Sequence, residues 1–107
     1  MPRSQTRTAR RRLLAPPTTV ERVQTGVRLE KRLLKVLKAV AEYHDLTLGD
    51  LLEGIVLHAF DGAPAFGPEG LRRIRELRRL YGLRLDASHS HRLVEATSHR
   101  PVARKRP

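Results

Sequence analysis

From Val23 to Leu29, β-branched or apolar residues alternate with Gln24, Gly26 and Arg28, a period of two. Val23, Thr25, Val27 and Leu29 fall on one side, and Gln24, Gly26 and Arg28 on the other. That spacing predicts a short strand with one buried face. At Glu30 the period changes. Leu33, Leu34, Leu37, Val40, Ala41 and His44 recur at helical spacing and predict a helix over 31–43, with Lys31, Lys35, Lys38 and Glu42 on its exposed side. Glu30 is a poor N-cap residue, so packing is expected to fix the strand-to-helix corner. Asp45-Leu46 breaks the pattern and Thr47 restarts it as an N-cap, with Asp50 three residues on as an Asp variant of the capping box. Leu48, Leu51, Leu52, Ile55, Val56, Ala59 and Phe60 fill a second helix, which Asp61-Gly62 ends.

Three features of this stretch call for a partner. A lone strand is not a sheet. A helix apolar on so many sides also needs more than the first helix against it. Gly54, which costs roughly 1 kcal/mol of helix propensity relative to Ala, is expected to admit another backbone at close range. A homodimer would meet all three needs.

Beyond Gly62 a loop leads to Pro68, suited to the first turn of a third helix, and Gly82 is suited to its end. Leu71, Ile74, Leu77, Leu80 and Tyr81 form a stripe expected to dock on the core, while Arg72, Arg73, Arg75, Arg78 and Arg79 are displayed. The predicted organisation is mainly α. Residues 1–19 form a disordered basic arm, 20–62 the strand–helix–helix core, 63–85 the linker and Arg-rich third helix, and 86–107 a disordered tail ending Arg104-Lys105-Arg106. The Arg-rich start also resembles a transit peptide, but its apolar content is too thin for an amphipathic helix, and no apolar run follows it to make a secretory signal. There is no internal repeat.

Charge adds a direction to this picture. The net charge is +11 over 107 residues. Residues 1–38 and 63–107 are basic, whereas 39–62 hold five acids and no Lys or Arg. A polarised basic chain suggests a polyanionic partner, most often nucleic acid; the plainer alternative is an ordinary solvated surface. Aromatics are 4% with no Trp, so the core rests on Leu, Val and Ile. The absence of Cys excludes disulfides and thiolate metal sites and fits a reducing compartment; with a nucleic-acid partner, the expected location is cytoplasmic and nucleoid-associated. No apolar run approaches the ~18 residues needed to span a bilayer.

The order strand, helix, turn, helix over 23–60 resembles the ribbon-helix-helix DNA-binding proteins, the class of the Arc and Met repressors. The residues that carry the likeness are Val27-Arg28-Leu29, Leu33-Leu34-x-x-Leu37, the turn Asp45-Leu46-Thr47-Leu48 and Leu51-Leu52-x-x-Ile55. The resemblance implies an obligate homodimer in which two strands make an antiparallel ribbon that enters the DNA major groove. It makes Val27, Leu29, Leu33, Leu37, Val40, Leu51, Leu52, Ile55 and Ala59 the dimer core. Gln24, Gly26 and Arg28 become the base-reading face. Gln suits adenine and Arg suits guanine, because each bonds bidentately. Gly26 departs from the pattern, leaving the central reading position without a side chain, and Thr25 stands where an aliphatic residue is usual. Thr47, Leu48 and Gly49 would present the N-terminus of the second helix to a phosphate, with Lys31 and Arg32 adding phosphate contacts.

Each assignment has a plainer reading. Arg28 reads equally as a solvated edge residue, and Thr47 as a cap alone. His89-Ser90-His91 lacks a third metal ligand nearby, and His44 and His58 read as helix-edge residues. No enzyme motif is present, Glu53 and His58 do not share a helix face, and no cofactor is implied. The function classes in play are a DNA-reading regulator, an antitoxin-like module whose residues 63–107 fold on a second protein, and a non-specific nucleic-acid binder.

Overall fold

The computed structural model describes residues 16–96. These form three α-helices, α1 (Lys31–Tyr43), α2 (Leu48–Phe60) and α3 (Pro68–Tyr81), followed by a single 3-10 turn at Ala87–His89. The chain is mainly helical, and no strand occurs among the described residues. The stretch expected as a strand, 23–29, is exposed and unpaired. A strand exists only through a hydrogen-bonded neighbour, and the described residues of one chain supply none.

The helix starts are fixed by side chains. Thr47 Oγ1 accepts from the Asp50 amide at 3.1 Å, which is one half of the expected capping box. Glu30, expected to contribute little, caps α1: its carboxylate accepts from the Leu33 amide at 2.7 Å. A long side chain succeeds here because its charge also lies at the positive end of the helix. Pro68 opens α3.

All three helices end alike. In α1 the Leu46 amide donates to the Ala41 carbonyl at 2.8 Å and Asp45 to Glu42 at 3.1 Å, with Asp45 left-handed at φ 59. The same pair of bonds closes α2 at Gly62-Ala63 and α3 at Gly82-Leu83. This is the Schellman arrangement, which satisfies carbonyls that the helix leaves open.

α1 is the centre of the fold and packs against both α2 and α3. Val36, Val40, Ala41 and Leu51 are buried, and Leu37, Leu46, Ile55, Phe66, Ile74, Leu77 and Leu83 close around them. Val36 belongs to the same helical stripe as Leu33 and Val40 yet is absent from the expected set. Across the α1–α3 seam the Arg73 guanidinium lies 4.7 Å from the centre of the Tyr43 ring. The expected α3 stripe docks only in part: Ile74 and Leu77 pack inward, while Leu71 and Leu80 stay exposed.

The expected dimer core divides within one chain. Val40 and Leu51 are buried, and Leu37 and Ile55 pack against them. Leu33 and Leu52 are half-buried, and Ala59 is exposed. Val27 is 72% exposed and Leu29 40%. Around Gly54 nothing lies within 4 Å of where a Cβ would sit, so among the described residues no other backbone approaches it.

The tail expected to be without structure from 86 onward differs over 86–96. Asp86 accepts from the Ser88 amide at 3.0 Å, and the Asp86 amide donates to His89 Nδ1 at 3.0 Å. A local capping box of this kind carries little hydrophobic signature, which is why periodicity misses it. The arm at 1–15 and the end at 97–107 lie outside the described residues.

Candidate nucleic-acid interface

Gln24, Gly26 and Arg28 sit on one exposed segment that leads directly into α1. A Cβ at Gly26 would meet nothing within 4 Å, so the single chain does not itself demand glycine there.

Two ion pairs tie this segment down. Arg22 Nε donates to Glu53 Oε2 at 2.8 Å and its terminal nitrogen to Oε1 at 2.7 Å. This joins the segment to the outer face of α2. Those hydrogen bonds, more than the charge, hold the Glu53 carboxyl below the usual carboxylate range and raise Arg22. Arg28 makes a matching two-armed pair with Glu95. Glu95 is likewise held low, first by the hydrogen bonds and then by the charge of Arg28. Both pairs are exposed to solvent and therefore screened by salt. Neither could be found by periodicity, since each joins residues far apart in the chain.

The residues expected at phosphates fall in two places. Lys31 and Arg32 are exposed in the first turn of α1. Arg32 leans toward the far end of α3: its Nε is 3.8 Å from where a Cβ on Gly82 would lie. Thr47, Leu48 and Gly49 begin α2, where the Leu48 and Gly49 amides have no intrahelical acceptor. Gly49 is exposed, and nothing lies within 4 Å of where its Cβ would sit. Asp50 stands in the same first turn and competes electrostatically with any phosphate placed there.

The histidines have structural surroundings. His44 is the C-cap of α1 and stacks on Phe66, with ring centres 6.3 Å apart. Burial lowers its pKa. His58 Nδ1 lies 2.7 Å from the Gly54 carbonyl. His89 belongs to the Asp86 turn. No cluster of three or more metal-binding side chains occurs among the described residues, and no helix there is long and apolar enough to cross a membrane.

No protein family, no characterised protein and no solved structure matches this chain.

Proposed function

We propose that the protein is a homodimeric DNA-binding protein of the ribbon-helix-helix type, acting as a transcriptional regulator. Two copies would pair residues 23–29 as an antiparallel ribbon. Gln24 and Arg28 would face the major groove, and the starts of α1 and α2 would face the backbone on either side.

The observation that carries this reading is the state of the alternating segment. Val23 is 83% exposed and Val27 72%, on a stretch with no hydrogen-bonded neighbour. Val23, Val27 and Leu29 on one side of the alternation belong against a buried surface, and the described residues provide none. Val56, Leu57 and Phe60 on α2 are exposed as well, so a second apolar surface awaits the same partner. On dimerisation the two gaps would close together.

Selection of bound duplexes from a random pool tests the reading. A recovered two-fold symmetric site, abolished by Arg28→Ala, is expected. Recovery of no sequence preference would leave only a non-specific binder.

A further inference from the structure

We propose that the concave cluster of arginines around the C-terminal end of α3 is a binding site for adjacent phosphate groups, separate from the ribbon. Arg75, Arg78 and Arg79 stand three and four residues apart and share one face of α3. Gly82, left-handed at φ 71, reverses the chain and brings Arg84 to the same side. These residues, with Leu83, line a shallow surface cavity of about 340 Å³. Arg32 of α1 reaches the same rim, its Nε 3.8 Å from the Cβ position of Gly82.

Four guanidinium groups thus line one hollow, with Arg32 near Gly82 beside it, and no acidic residue lines it. Glu76 pairs with Arg72 and Arg73. Arg75, Arg79, Arg84 and Arg32 have no carboxylate partner among the described residues. Crowding like charges is unfavourable unless something offsets it.

The ordinary explanation of arginines at a helix C-terminus is that they cap open carbonyls. Here the Arg78 and Arg79 carbonyls already accept from the Leu83 and Gly82 amides, at 2.8 and 3.3 Å. Only Arg78 serves the backbone, donating to the Leu85 carbonyl at 2.6 Å. The remaining forks are free for a ligand. Guanidinium groups match phosphate oxygens two at a time, and several at this spacing suit more than one phosphate. Two sources share that chemistry: the backbone of a nucleic acid and a free polyphosphate. The first source rests on the DNA-binding reading, and the site itself does not.

The test uses the full chain and inorganic tripolyphosphate in a calorimetric titration, beside random duplex DNA over a salt series. Two triple variants are compared. One is Arg75→Gln with Arg79→Gln and Arg84→Gln, all exposed positions. The other removes equal charge elsewhere, as Lys35→Gln with Lys38→Gln and Lys105→Gln.

Saturable binding of tripolyphosphate is expected, weakened about tenfold in the arginine variant and less than about twofold in the lysine variant. If nucleic acid is the source, the slope of log K against log salt also flattens by about 0.9 for each phosphate that the variant no longer neutralises. An unchanged slope together with abolished tripolyphosphate binding would identify a free polyphosphate as ligand. Equal weakening in both variants, or no saturable binding to the unaltered chain, would overturn the site. Arg84→Gln alone, beyond the end of the helix, gives the same reading should the triple variant unfold. Sequence selectivity through Arg28 is measured independently, so failure of the ribbon reading and failure of this site are told apart.

Discussion

Arg28 and Glu95 are paired by both arms of the guanidinium: Nε donates to Oε1 at 3.1 Å and a terminal nitrogen donates to Oε2, across 67 residues of chain. The carboxylate therefore takes the two-pronged position that a guanine edge would occupy in the proposed complex. Glu95→Gln is expected to raise DNA affinity a few-fold at low salt, and the gain should vanish at high salt because the pair is exposed. Arg28→Ala should weaken the preferred site by roughly five- to a hundredfold and random duplex far less. Equal affinity of Glu95→Gln and the unaltered chain at every salt concentration would show that the pair does not compete with DNA.

Val27 tests the ribbon without DNA. In one chain it is 72% exposed, so Val27→Asp should barely disturb a monomer. In the proposed dimer it lies on the buried face of the ribbon. Sedimentation is expected to show a dimer for the natural sequence and a monomer for the variant. A monomeric natural chain at micromolar concentration would remove the ribbon reading.

Gly54 distinguishes the same alternatives by sign. Among the described residues nothing meets a Cβ there, so Gly54→Ala should stabilise a monomer by about 1 kcal/mol through helix propensity. If a second copy closes over it, the substitution should instead destabilise the dimer. Unfolding midpoints over a range of protein concentrations separate the outcomes. The dimer reading expects the destabilisation, and expects it to depend on concentration.

The caps give local predictions. Thr47→Ala removes the acceptor for the Asp50 amide and is expected to cost about 1 kcal/mol in chemical denaturation. Glu30→Ala should cost a comparable amount, about 0.5–2 kcal/mol, because the Leu33 amide loses its acceptor. A negligible effect at Glu30 would return the start of α1 to packing alone.

His44 sets a pH dependence. Burial favours its neutral ring, so its folded pKa lies below the ordinary imidazole value. Its contribution is complete above that ordinary value and is lost as pH falls through the lowered one. The thermal midpoint is expected to drop as pH falls from above the ordinary imidazole value through the lowered one, and to drop less in His44→Gln. An identical drop in the variant would assign the effect to other groups.

The helices were legible in the sequence because their causes are local. The stripe of Leu33, Leu37 and Val40, the Thr47 cap, Pro68 at the start of α3 and Gly82 at its end all act within a few residues, and each appears in the structure where its spacing predicts. Tertiary structure decided what the arrangement brings together from a distance. Glu95 meets Arg28, Arg22 meets Glu53, and Arg32 meets the end of α3 because α1 is packed between the other two helices. Such pairs have no periodic signature, since a side chain reaches whatever the fold places beside it. The alternating segment at 23–29 shows the opposite limit. Its sequence has the period of a strand, but a ladder is a property of two strands, and the described residues of one chain leave it open.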